Sequence, residues 1–338
     1  MTSFKKHLSG MTVRGMFNLG VLAASGIALL PQVAFAQSAA WPNKPIKMVV
    51  GFPAGGVTDV AARLVAGSMG DRLGQPIVIE NKPGAAGNIA ADQVAKSPAD
   101  GYSILFGTNA SHGSNPSLYS NVPFDPVKDF APIGMVATIT NVLVVHPSVP
   151  ATTVQDLIAL MKSKPGEFNY ASAAVGSAGH LVGEMFKLKT GVNMVHVAYK
   201  GAAPMQVDLL AGRVQLSFAT LQTVLREVNS GQLRALGVTA LKRIPQMPNV
   251  PTLAETVVPG FSADAWFALF APANTPAIAV NKMNEAIGHS VALSEVRERL
   301  GSQGFLISTS TPDELRRFVA AEVPRWAEVV KASGAKAN

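Results

Sequence analysis

Residues 46–69 read I-K-M-V-V-G-F-P-A-G-G-V-T-D-V-A-A-R-L-V-A-G-S-M. A short apolar run leads into a turn almost bare of side chains, and the turn opens an amphipathic pattern. The spacing predicts a strand over 46–50 and a helix over 58–73. The first N–H groups of a helix have no partners within it and sit at its positive end. A turn this bare lets an anion reach them. The helical reading puts Val60, Leu64, Val65 and Leu73 on one flank, with Arg63 and Arg72 off it, and makes Thr58 or Asp59 the cap. A carboxylate at Asp59 competes with a bound anion for the same amides. It must therefore turn away, or meet a positive group on the ligand.

From Gly51 to Thr58 the turn has the spacing of a phosphate loop, but Val57 stands where such a loop needs Lys, which argues against nucleotide. The plainer alternative is an ordinary tight strand-to-helix connection. A second stretch repeats the design. F-N-Y-A-S (168–172) reads as a strand, A-A-V-G-S-A-G (173–179) as a small-residue turn, and H-L-V-G-E-M-F (180–186) as a helix that Ser177 could cap. Gly176-Ser177-Ala178-Gly179 is out of register for a nucleophile elbow.

Strand patterns at 46–50, 76–80, 103–107, 133–136, 141–145, 168–171, 194–199, 214–218, 233–238 and 266–270 alternate with helical ones. The helical patterns are at 58–73, 86–95, 153–163, 178–189, 202–211, 221–230, 276–292, 294–300 and 312–332. Such alternation predicts an α/β fold with parallel sheets covered by helices. Thr311-Pro312-Asp313-Glu314 puts a cap, an N1 proline and an N3 acid in register for a helix start, and Pro324 should kink or break that helix. The proline-rich stretch 242–260 reads as an ordered loop.

Residues 1–36 read as an export signal: Lys5, Lys6 and Arg14, an apolar stretch over 17–30, then Ala34-Phe35-Ala36 before Gln37. The remaining chain of about 300 residues exceeds what one core usually serves, so two domains are expected. The formal charge of +7 drops by three with the signal, and the cations are dispersed, so nucleic acid is not a fitting partner. With no Cys, disulfides, thiolate metal sites and Cys nucleophiles are all excluded. His112, His146, His180, His196 and His289 form no H-E-x-x-H or i, i+4 pattern, so core or surface roles are expected, with no metal and no cofactor. A Ser-His-Asp hydrolase remains an alternative without an elbow or oxyanion motif to support it.

Taken together, several segments identify a family. These are W-P-N-K-P-I-K-M-V-V-G-F-P-A-G-G-V-T-D (41–59), G-Q-P-I-V-I-E-N-K-P-G-A-A-G-N-I (74–89), D-G-Y-S-I-L-F-G-T (100–108), N-P-S-L-Y (115–119) and P-F-D-P-V-K-D-F-A-P-I (123–133). They continue with Y-K-G-A-A-P (199–204), L-R-A-L-G-V-T (233–239), P-N-V-P-T-L-A-E (248–255) and R-W-A-E-V-V-K-A-S-G-A-K (325–336). The chain resembles the solute receptors of tripartite tricarboxylate transporters, the Bug-type proteins, over essentially all of its length after the signal.

That resemblance implies a type II periplasmic-binding-protein fold: two α/β domains with mostly parallel sheets, joined by two crossover strands. The expected division is 37–142 with 266–338 as domain 1, and 143–265 as domain 2, with crossings near 142–145 and 266–272. The resemblance also implies a periplasmic receptor, cleaved after Ala36 and working as a monomer. It would capture a small carboxylate by hinge closure and pass it to a membrane permease, without catalysis. A receptor reporting to a membrane sensor kinase is the alternative partner. Matching the family's turns residue by residue places Phe52, Ala54, Gly55, Gly56, Thr58 and Asp59 in the site, facing Ser172, Val175, Gly176, Ser177 and His180. Thr108, Asn109, Ala219 and Thr220 line the same cleft. The family's second turn is commonly more polar, and position 219 is often acidic or an amide. Val175, Gly179 and Ala219 therefore predict a less polar cleft, suited to a monocarboxylate or dicarboxylate with an apolar or aromatic body rather than to citrate or an amino acid.

Overall fold

The computed structural model describes residues 41–337; the export signal read in 1–36 lies outside them. The chain runs β1 (Ile46–Val50), α1 (Val57–Leu73), β2 (Ile77–Asn81), α2 (Asn88–Ala95), β3 (Ser103–Thr108), α3 (Asn115–Leu118) and β4 (Phe130–Ile139). It continues through β5 (Asn141–Val145), α4 (Val154–Ser163), β6 (Asn169–Ser172), α5 (Ala178–Thr190), β7 (Val195–Ala198), α6 (Ala202–Leu210), β8 (Leu216–Thr220), α7 (Leu221–Asn229), β9 (Arg234–Val238) and α8 (Leu253–Thr256). The last part is β10 (Ala265–Pro272), α9 (Ala277–Ala292), α10 (Ser294–Ser302), β11 (Phe305–Ile307) and α11 (Pro312–Ser333).

Two sheets result, in the orders β11-β4-β10-β3-β1-β2 and β7-β6-β8-β5-β9. They are mixed rather than mostly parallel. β1 pairs in parallel with β2 and β3, and β6 with β7 and β8. β4, β5, β9, β10 and β11 all enter antiparallel. The cause is the double passage between sheets. A chain that leaves one sheet on β4 and comes back on β10 traverses that sheet in opposite senses. The outward passage is at Thr140, and all of 142–145 already pairs with β8. The return falls at Asp264, just before β10.

Each sheet is covered on both faces. α1 and α9 pack on one side of the first sheet around Met48, Val65 and Met283, and α2 and α11 on the other around Leu105, Phe270 and Leu315. In the second sheet α4 and α5 cover Tyr170 and Phe218, while α6 and α7 cover Val144 and Ala171. α1 buries Ala61, Ala62, Val65, Ala66 and Met69. Val60, Leu64 and Leu73 are only partly buried. A helix lying between a sheet and α9 places its small residues at the closest approach, which a search for large apolar residues overlooks. α11 continues through Pro324, so the proline does not break the helix. Its first half buries Leu315 and Val319 against the first sheet, and its second half buries Trp326, Val329 and Val330 with the core of the second.

Candidate functional site

The register brings the two turns to one junction. Thr108, at the end of β3, lies opposite Phe267. Ala265 lies opposite Ile139, and Asn141 opposite Thr220 at the end of β8. The C-terminal edges of β1 and β3 in one sheet, and of β6 and β8 in the other, therefore both end at the double passage. Ligands of open α/β sheets collect at such edges.

In the first turn Gly55 has φ +78°, the left-handed region, and a Cβ there would meet nothing within 4 Å. α1 starts from Gly56 at the N-cap, with no side-chain cap. Neither Thr58 nor Asp59 is the cap, contrary to the sequence reading. Asp59 is 2% exposed. One of its carboxylate oxygens accepts from Gly55 N–H and Arg63 Nε, both at 2.8 Å, and the other from Asn81 Nδ2 at 2.8 Å. Asn81 also donates to Phe52 O at 3.0 Å. Burial opposes ionisation of Asp59, but the bonds from Arg63, Gly55 and Asn81 outweigh it and hold the carboxyl below its ordinary value. The acid is thus turned inward and spends the Gly55 N–H on holding the turn. The first bond inside the helix is Val60 N–H to Gly56 O at 2.9 Å, which leaves the N–H groups of Val57, Thr58 and Asp59 ahead of the ladder. Ala54 and Gly55 are exposed, Phe52 and Gly56 half-buried, and Thr58 buried.

The second turn has the same construction. Ser177 is the N-cap of α5, as its position predicts, but its hydroxyl does not cap the helix. It donates to Ala174 O at 2.8 Å. Gly176 has φ +77°, and a Cβ there would lie 2.6 Å from Leu118 Cδ2, so the turn sits directly on α3. Val175 is 52% exposed. His180 is buried at 4% exposure and accepts from Gly176 N–H through Nδ1 at 2.9 Å. Ser172, also buried, donates to Ala174 O at 2.9 Å. Neither His180 nor Ser172 is a freely presented ligand contact: both brace the turn from behind.

Thr108 is 4% exposed, and its Oγ1 has no hydrogen-bond partner among the described residues. Asn109 N–H donates to Trp266 O at 3.2 Å, Ala219 is buried opposite Val142, and Thr220 is half-buried at the N-cap of α7, which also has no side-chain cap. The contrast with other helices is chemical. α4, α8 and α11 each carry a full capping box, from Thr153 and Asp156, Thr252 and Glu255, and Thr311 and Glu314. The N-termini of α5, α6 and α7, on the C-terminal edge of β6, β7 and β8, have neither a cap nor an acid in the first turn.

Sequence reasoning missed Arg63, Asn81 and His196. Arg63 was signalled by its i, i+4 spacing from Asp59, whereas Asn81 and His196 reach the turns only through sheet pairing. A cavity of about 710 Å³ lies elsewhere, beside β11 and α11, lined by residues including Trp266, Asp264, Phe318 and Arg325. It contains none of the predicted site residues. Among the described residues no group of three or more His, Cys, Asp or Glu forms a metal set, and no helix is long and apolar enough to cross a membrane.

Comparison with known proteins places this architecture. Residues 61–335 match the model of the tripartite tricarboxylate transporter family receptor. Protein BugT of Bordetella pertussis is 39% identical over 327 residues, covering 96% of this chain and 98% of that protein. The solved structure of R. palustris Rpa4515 with adipate is 40% identical, with a TM-score of 0.72 over 87% of this chain and 98% of that one. MatC (Rpa3494) from Rhodopseudomonas palustris with bound malate is 32% identical, with a TM-score of 0.69 over 86% and 99%. With a periplasmic-binding-protein architecture and similarity along nearly its whole length, the chain belongs to the tripartite tricarboxylate transporter family of receptors.

Proposed function

We propose that this chain is an exported periplasmic receptor that captures a small carboxylate between two lobes and delivers it to a membrane permease. The lobes follow the two sheets and divide at Thr140 and Asp264, a residue or two from the division expected from the sequence, and the receptor acts as a monomer. The reading rests on one observation: α1 and α5 begin uncapped on the two strand edges that meet at the double passage. Their orphan N–H groups need an acceptor, and a carboxylate supplies it. The adipate and malate bound to relatives fit that chemistry.

The magnitudes are sufficient. Each helix end contributes about 0.3–1 kcal/mol, rising to ~2 when partly buried. Each hydrogen bond to a charged group contributes about 1.5–3 kcal/mol. Four or five donors with some apolar contact reach the ~8 kcal/mol of micromolar affinity. Val57, 43% exposed, and Val175 flank the two turns with apolar surface, and Asp59 is already neutralised by Arg63. These features favour a monocarboxylate or dicarboxylate with an apolar or aromatic body. Ligand contacts made by both lobes favour the closed state by their differential affinity, with no chemical step.

A thermal-shift panel of aliphatic and aromatic mono- and dicarboxylates, sugars and amino acids tests this. Stabilisation is expected from acids with apolar bodies. A response confined to sugars or amino acids rejects the reading.

A further inference from the structure

Behind the second turn lies a cluster of titratable side chains that ligand capture does not use directly. His180, on α5, and His196, on β7, stack with ring centroids 3.8 Å apart and planes 13° from parallel. Each ring holds one end of the turn. His180 Nδ1 accepts Gly176 N–H at 2.9 Å, and His196 Nε2 lies 2.7 Å from Ser172 Oγ. Ser172 gives its hydroxyl proton to Ala174 O, so His196 Nε2 carries a proton and donates. The accepting Nδ1 puts the proton of His180 on Nε2. The accepting Nδ1 makes His180 neutral. His196 is neutral near neutral pH as well, because burial, first of all, lowers its pKa to about 4.

Resting on the carboxylate reading, we infer that the stacked His180–His196 pair is the positioning device of the second ligand turn, fixing the direction of its peptide groups. The turn rests on Leu118 at Gly176 and is tied at Ala174 O by the hydroxyls of Ser172 and Ser177, but the Gly176 N–H is held by His180. Without an acceptor the Gly176 N–H loses its hydrogen bond, and that peptide can reorient within the limits set by Leu118, changing the approach to the first N–H groups of α5. A proton added at His180 Nδ1 turns the acceptor into a donor facing another donor and releases the turn.

The charged neighbours are few. Glu184, on α5, accepts from Tyr170 Oη at 2.6 Å and from Lys187 Nζ at 2.9 Å. From α11, Arg325 reaches Met185 Sδ at 3.8 Å and is paired with Glu322. Asp208 of α6 is held by Tyr199 and Arg213. Burial, the other imidazole and Lys187 disfavour a cation on His196, and Glu184 only partly offsets them.

Two measurements test the inference. In free wild-type protein, NMR should show the Gly176 amide shifting with the ionisation of His180, and an amide that ignores that titration overturns the inference. Calorimetry with adipate as the probe should show His180→Leu binding roughly tenfold more weakly. His180→Asn, whose Oδ1 stands where Nδ1 was, should recover most of the affinity. His196→Phe, which keeps the stack and loses the bond to Ser172, should fall between. Unchanged affinity in His180→Leu also overturns the inference. If no acid of the panel binds the wild type, the carboxylate reading fails, and the Gly176 titration still decides the role of the pair.

Discussion

The carboxylate of Asp59 lies in the first turn of α1 yet does not cap it. It is committed to Gly55, Arg63 and Asn81, so it shapes the turn while leaving the helix end open. Gly56 occupies the N-cap with φ −74° and ψ 167°, a conformation any residue adopts. This creates a direct test of whether the open end matters. Gly56→Asp supplies the helix with its own anion at the position where Asp, Asn and Ser are most favoured, and the replacement of Gly there changes stability by only a few tenths of a kcal/mol. A Cβ at Gly56 lies 3.2 Å from Pro53 O, so the turn must yield by a few tenths of an ångström, which offsets the capping gain. The variant should unfold at a urea concentration close to that of wild type and lose carboxylate affinity by about tenfold or more, because the ligand then meets occupied donors and a like charge. Undiminished affinity in calorimetry would remove the terminus of α1 from the binding site.

At the level of elements, what the sequence revealed was local, and what it hid depended on the partner. The start of α1 and the N-cap of α5 were legible because a Gly-rich turn after an apolar run is a backbone signal. The roles of Thr58, Asp59 and Ser177 were not, since a side chain chooses between capping and other hydrogen-bond partners only once the sheets have formed. β11 was missed: three residues, Phe305–Ile307, gain strand character only from β4. α11 runs on past its internal proline. Pro324 removes one helical hydrogen bond, a cost of about 3 kcal/mol in an isolated helix, but each half of α11 is anchored in a different core. Trp326 is the main anchor of the second half, 2% exposed, with its indole N–H donating to Glu322 at 2.8 Å. Trp326→Ala should cost about 3–5 kcal/mol. The loss should fall on the second lobe, seen as raised amide exchange in α5 ahead of α1. Equal loss of protection in both helices would show that α11 does not divide between the cores in this way.

Over the whole molecule, buried titratable groups make stability depend on pH with a predictable sign. His112 stacks on Phe270 at 3.9 Å and lies against Phe130, fully buried; burial pushes it from 6.5 down to about 3. Burial, then competition with the stacked His180 imidazole for a proton and the charge of Lys187, opposed by Glu184, bring His196 from 6.5 to about 4. Below pH 6.5 the unfolded chain takes up protons that these folded imidazoles refuse, so the unfolded state binds more protons and stability falls as the pH falls. The contribution is complete above 6.5 and is lost as pH falls through each folded value. Asp264, at the return passage, has the opposite sign. Burial raises it above 3.8 against the hydroxyls of Thr239 and Thr140 and the charge of Arg325, so its protonation offsets part of the loss once the pH drops below its folded value. Urea midpoints should therefore decline from neutral pH through about pH 4, where the His196 contribution is spent, and on towards about pH 3 through His112. His112 supplies the control. Its Nε2 has no partner among the described residues, and Phe fills a similar volume among Phe124, Phe130 and Phe270, so His112→Phe should fold and show a shallower decline. A wild-type midpoint that is level or rising on acidification, or a His112→Phe slope equal to wild type, would mean that these imidazoles are not held neutral by the fold.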